Sequence, residues 1–225
     1  MKYFNIISLM ILMIVIITSP ILAHKPVKVS APASREQPIW IEDHKISWAA
    51  YNQLEKENEI HYYSFDVKKN EEIYISLTIP MLERLKDFNP TIALIGPGLS
   101  DNSYETDVNL NVKKDESVII KRYEGGEPEV FFEPFTRTSY YRKQILTIKA
   151  PVNGIYYTAV FNEKNKTGKY VLAIGEKEKW EVKDIVKLPK TWWDVRIFME
   201  KEESTYAVAV GVGLMAIYFL SSIFK

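Results

Sequence analysis

From about residue 60 to residue 175 the chain alternates apolar and polar positions with a period of two, in short runs cut by turn residues. That is the pattern of half-buried β-strands. Tyr63, Phe65 and Val67 fall on one face of a first strand. The polar turn Lys68-Lys69-Asn70-Glu71 then leads into Ile73, Ile75, Leu77 and Ile79, whose alternation predicts a second strand buried on one side. A third strand is expected over Thr91–Ile95, ending at Gly96-Pro97-Gly98. Further strands are expected at Glu116–Tyr123, Gln144–Lys149, Ile155–Phe161 and Lys169–Gly175, with Asn153-Gly154 read as a turn that tolerates positive φ. Met81–Asp87, rich in long helix formers, reads as a helical turn among them. So many short strands with few helical periods predict an all-β, antiparallel β-sandwich.

The two ends break this pattern. Phe4–Ala23 is apolar behind a single charge, Lys2, and closes at Ser19-Pro20-Ile21-Leu22-Ala23, which has the form of a secretory signal. Cleavage is preferred over retention as an anchor. Tyr206–Phe224 is free of charge and close to the ~20 residues needed to cross a bilayer, so a transmembrane helix is expected there. Lys2 and Lys225 mark the inner side, which puts the intervening chain outside a cell membrane on a single-pass anchor with a short cytoplasmic end. The expected organisation is a signal over 1–23, an extended segment over 24–45, the sandwich over 46–176, a juxtamembrane segment over 177–205 and the span over 206–224. Within the juxtamembrane segment a helix is expected after Pro189 with Thr191 as its cap. Trp192 and Trp193 sit there, either in the lipid headgroup region or packed under the domain.

Composition narrows the function. All 29 acidic residues lie between His24 and Thr205, and 29 minus Lys2 and Lys225 leaves 27 basic ones, so that region carries about −2. This gives no electrostatic case for nucleic acid. The chain has no cysteine, so an exported domain has to be held by its core without disulfides. There is no Gly-x-Ser-x-Gly turn, phosphate loop or His-Glu-x-x-His helix, and the chain is read as a non-enzyme, with a surface enzyme of unknown reaction as the third reading.

Four stretches carry a family resemblance: Ile60–Glu71, Pro90–Gly98, Asn153–Val160 and Gly168–Ile174. In their order they resemble the elements of bacterial and archaeal pre-peptidase C-terminal domains. The resemblance spans about 47–175. It implies a small jelly-roll-like sandwich and a non-catalytic role in binding or secretion. Leu99–Arg142 departs from it as a long insertion, and no protease domain accompanies it.

The insertion supplies the candidate interaction surface. Glu124-Gly125-Gly126-Glu127-Pro128-Glu129-Val130-Phe131-Phe132-Glu133-Pro134-Phe135 joins carboxylates to phenylalanines and runs on to Arg137, Tyr140, Tyr141 and Arg142. Read as a defined loop, Glu127, Glu129, Phe131, Phe132, Glu133, Phe135, Arg137, Tyr140, Tyr141 and Arg142 have the aromatic and arginine character of protein interfaces. Either they contact an envelope or surface protein, or the phenylalanines cover the open end of the sandwich. A calcium site from Glu124, Glu127, Glu129 and Glu133 lacks the regular Asp-rich spacing such loops have. Cleavage after Ala23 would make His24 the amino terminus, and its amine and imidazole with His44 or His61 would suit copper. A copper-binding module is therefore the alternative function. Asn165-Lys166-Thr167 is an acceptor triplet for glycosylation, whereas Asn89-Pro90-Thr91 is excluded by its proline.

Overall fold

The fold is a computed structural model that describes residues 24–223 apart from 28, 30–33, 101–104 and 180, and without the side chains of 219, 222 and 223. The expected signal over 1–23 and the last residue of the expected span, Phe224, lie outside the described residues.

Strands β1 (Lys25–Pro26), β2 (Ile39–Trp40), β3 (Trp48–Leu54), β4 (Ile60–Val67), β5 (Glu72–Pro80) and β6 (Thr91–Pro97) are followed by β7 (Glu116–Lys121), β8 (Glu129–Glu133), β9 (Thr138–Lys149), β10 (Gly154–Phe161) and β11 (Gly168–Ile174). They form two sheets, one ordered β1-β3-β11-β5-β9-β8 and the other β2-β4-β10-β6-β7. The main ladders are antiparallel, but β1 on β3 and β2 on β4 pair in parallel, which amends the purely antiparallel expectation. From β3 to β6 and from β9 to β11 the chain passes back and forth between the sheets, so these neighbours in sequence lie in opposite sheets, whereas β6–β7 and β8–β9 pair within one sheet.

The core follows from the alternation. Ile73, Ile75, Leu77 and Ile79 of β5 are fully buried against Tyr63, Phe65, Val67, Tyr156 and Tyr170. The expected helical turn is a 3-10 turn over Glu83–Leu85 that buries Leu85. Gly154 has no positive φ: its need for a glycine is spatial, since a Cβ there would stand 2.8 Å from Pro97 Cγ.

Neither sheet leaves its outer face bare. Over β4, β6 and β10 the insertion lays down Val108, Leu110 and Val112, which pack on Tyr62, Ala93, Ile95, Val118, Ala159 and Phe161. This is why β6 is buried along nearly its whole length instead of on alternate residues. Arg35 joins the cover, its guanidinium 3.3 Å from the Tyr157 ring centre and its Nη2 donating to Glu116 Oε2 at 2.6 Å. Over the other sheet lies helix α1 (Val182–Phe198), with Val195 and Met199 on Ala49, Tyr140 and Val171.

The start of α1 corrects the sequence reading. The Glu181 amide donates to Asp184 Oδ2 at 3.0 Å, and Asp184 pairs with Lys25 of β1 at 2.7 Å, so the helix begins there and carries Pro189 inside it. Pro189 forgoes one intrahelical hydrogen bond and does not end the helix.

Helix α2 (Glu202–Ile223) covers the expected span. Among the described residues no helix is long and apolar enough to cross a membrane, so the transmembrane reading of Tyr206–Phe224 has no support from the fold. Described apolar side chains of α2, among them Val208, Val210, Val212, Leu214, Met215, Ile217 and Leu220, are nevertheless exposed.

Candidate interaction surface and the groove beside it

The stretch read as a loop, Glu124–Arg142, is largely a hairpin. Strand β8 pairs with the first part of β9, Glu129 opposite Arg142 and Glu133 opposite Thr138. The two strands are joined by a tight turn in which Arg137 adopts φ 55°. Because β8 ends the sheet order, one of its backbone edges has no strand beside it among the described residues. Glycines and prolines around it, Gly125, Gly126, Pro128 and Pro134, disguise this short strand as a loop.

Pairing sorts the candidate residues. Val130 and Phe132 project outward, 54% and 53% exposed. Phe131 turns the other way, its ring 6.2 Å from that of Tyr140 and 5.1 Å from the Arg142 guanidinium. Arg142 is held by Glu129 through Nη1, at 3.0 and 3.1 Å to its two oxygens. Glu127 and Arg137 are exposed, while Phe135 and Tyr141 are half-buried.

Two of the expected contact residues are internal. Glu133 is 6% exposed and closes the turn: its carboxylate accepts from the Phe135 amide at 2.9 Å, the Thr136 amide at 2.6 Å and the Thr136 hydroxyl. Tyr140 is 3% exposed, and burial pushes its phenol up to about 12. Both are corrected from contact surface to scaffold.

The turn is clamped from behind. Arg196 of α1 is buried, with Nη1 donating to the Thr136 carbonyl at 2.8 Å, Nε to Thr205 Oγ1 at 2.9 Å, and Nη2 to Ser204 Oγ. Lys201 Nζ donates to the Arg137 carbonyl at 3.1 Å. Arg196 went unforeseen, although an arginine beside Val195 on a buried helical face was a legible signal for it.

Beyond Arg142 a groove of about 340 Å³ opens between β9 and the chain leaving β7, lined by Tyr123, Glu129, Arg142, Lys143 and Gln144 among others. Lys143 and Gln144 were also unforeseen. Two polar residues just before Ile145-Leu146, where the strand should alternate, are their sequence trace.

The three histidines are not brought together. His24 bonds through Nδ1 to Ser47 Oγ; His44 is buried, stacked on Phe65 with ring centres 5.8 Å apart. His61 has both nitrogens engaged, Nδ1 with Tyr170 Oη at 2.8 Å and Nε2 with Glu59 Oε1 at 3.0 Å. Among the described residues no group of three or more His, Cys, Asp or Glu is placed to hold a metal ion, so the four-glutamate calcium reading finds no constellation. Trp192 stacks its ring 4.8 Å from the Arg196 guanidinium, and Trp193 lies 5.6 Å from Tyr206 of α2. Asn165 is exposed in the turn between β10 and β11, with φ 55°.

No family model and no curated protein matches the chain. Among solved structures it is similar to PliG, a periplasmic lysozyme inhibitor of g-type lysozyme from Aeromonas hydrophila: 11% identical over 68% of this chain and 95% of that one, with a TM-score of 0.33. It is also similar to the pre-peptidase C-terminal domain of collagenase from Bacillus anthracis, 14% identical over 64% and 96%, TM-score 0.30. A third is CorA, a surface-associated copper-binding protein from Methylomicrobium album BG8, 10% identical over 68% and 98%, TM-score 0.30. Likenesses this distant carry no argument about this chain.

Proposed function

We propose that this chain is a non-catalytic β-sandwich, displayed outside the cytoplasm, that binds or scaffolds another envelope or surface protein, and that the partner docks along β8. The observation that carries this reading is the free edge of β8 with Val130 and Phe132 more than half exposed on it. An unpaired edge offers its backbone N–H and C=O groups to an incoming strand, and adjacent apolar side chains add burial to those hydrogen bonds. The hairpin is pre-positioned by Arg196 and Lys201, which lowers the ordering cost of association.

A second copy is a poor occupant. Antiparallel pairing of two β8 strands centred on Phe131 would set each Glu129 opposite the other copy's Glu133, and like charges directly opposite destabilise a ladder. Attachment to a membrane through α2 belongs to the same reading, supported by the exposed apolar side chains of that helix.

The test is site-specific photo-crosslinking in native membranes. A photoreactive residue replacing Phe132 is expected to give a discrete protein adduct, and the same residue at exposed Ile155 on the other sheet none. Equal adducts at both positions, or none at 132, would overturn the docking reading.

A further inference from the structure

Where β8 stops at Glu129, opposite Arg142, strand β9 runs on to Lys149 with no strand paired on that side among the described residues, and the groove opens in the notch so formed. The register of β5 against β9 slips here, Leu77 facing Gln144 while Thr78 faces Arg142, so Lys143 is the extra residue of a bulge. A bulge re-aims side chains, and this one buries both Lys143, 7% exposed, and Gln144, 3% exposed, in a wall of the groove.

Their polar capacity is not used up inside the protein. Lys143 Nζ donates once, to the Lys86 carbonyl at 3.1 Å, and stands 4.5 Å from the Tyr123 ring centre and 5.6 Å from that of Tyr141. An ammonium has three hydrogens to place. The acids that line the groove are committed elsewhere, Glu124 to Lys121 at 2.6 Å and Glu129 to Arg142 at 3.0 Å. Among the described residues no carboxylate pairs with Lys143. Burial holds its amine below the usual lysine range, with the charge of Asp87 acting the other way.

Gln144 adds a spare acceptor. Its Nε2 donates to the Pro90 carbonyl at 2.7 Å, which fixes the amide's orientation, and leaves Oε1 buried without a partner. Arg142 Nε is likewise buried and unpartnered. Buried polar groups left unpaired are costly, and two of them beside a buried ammonium with one partner, on one short run of strand along an open groove, are a recognition set awaiting its complement. The bland reading, in which Lys143 merely caps the turn at Lys86, accounts for one of its hydrogens and for neither Gln144 Oε1 nor Arg142 Nε.

We propose that this notch binds a carboxylate-bearing ligand, its carboxylate received by Lys143 and Arg142 and a neighbouring N–H of the ligand donated to Gln144 Oε1. A peptide's carboxy terminus and an acidic side chain share that chemistry. The site is independent of the docking edge, since neither Val130 nor Phe132 lines it.

The test uses the full chain in detergent micelles, titrated with three probes: N-acetylglycine, N-acetylglutamate α-amide and the uncharged N-acetylglycine amide. Binding is followed by the NMR signals of the Lys143 side chain and the Tyr123 ring. Saturable shifts with either carboxylate, but not with the neutral amide, are expected. The first probe responding would point to a carboxy terminus, and the second to an acidic side chain. Lys143→Met should weaken that binding by about tenfold or more, as loss of a charge-assisted hydrogen bond does. The wild-type titration stands even if that variant fails to fold. Shifts of equal size with the neutral amide, no response to either acid, or unchanged affinity in a folded Lys143→Met protein would overturn the proposal.

Discussion

His44 is buried against Phe65, and that burial holds its imidazole below the usual histidine range in spite of Glu71 Oε2 at 3.8 Å. His24 is shifted the same way by burial. A group whose folded pKa lies below its unfolded value, here about 6.5, stabilises the fold above that value. The stability is lost as pH falls toward and through the folded pKa, because the unfolded chain binds the proton first. The unfolding midpoint should therefore be lower at pH 5.5 than at pH 7.5, and His44→Gln should reduce the difference. An identical drop in that variant would show that His44 is not responsible. The depressed carboxylates Asp184 and Glu200, held by Lys25 and Lys169 respectively, act in a separate window below about pH 4.5. At this scale the sequence shows residue types but not sides. Glu133 and Tyr140 look like contact residues in a run of acids and aromatics, and only the strand pairing turns one into the internal acceptor of a turn and the other into a seat for α1.

Elements announce themselves when one physical rule dominates. Strand β5 is legible because one of its faces meets the core and its alternation is strict. Strand β3 is not, because Ala49 and Ala50 are both buried, one under α1 and one in the core, and Asn52 and Gln53 follow. Strand β8 hides among glycines, prolines and acids, and its pairing with β9 is a tertiary fact. The start of α1 is obscured by Pro189, since the salt bridge from Asp184 to Lys25 that fixes it joins residues far apart in sequence. Helix α2 poses the opposite case, an apolar run whose covering the fold does not supply. If α2 attaches the protein to a membrane, the full chain should stay in the membrane pellet through alkaline carbonate washing, and a chain ended after Thr205 should be released. Release of the full chain, or retention of the shortened one, would remove α2 as the anchor.

Across the molecule, the absence of cysteine leaves the hydrophobic core as the source of stability, and among the described residues the fold supplies it in three places. One cluster lies between the sheets, one lies under the insertion segment around Leu110, and one lies under α1. The alternating pattern made the first of these legible; the helix over the third was legible in part, after Pro189, whereas the insertion segment around Leu110 carries no strand or helix signal for what it touches. The same arrangement explains why the docking edge is where it is. The sheet faces are largely covered, and the insertion that covers one of them continues into β8, whose edge and outward side chains stay open. The measurement that tests this account most directly compares partner retention by the wild type and by a Val130→Lys, Phe132→Lys double variant. Both positions are exposed, so the unfolding midpoint should change little, surface substitutions of this kind costing about 0.5 kcal/mol or less. The account predicts that the partner cross-linked at position 132 is lost from the variant while its fold is kept; retention of the partner by the folded variant would contradict it.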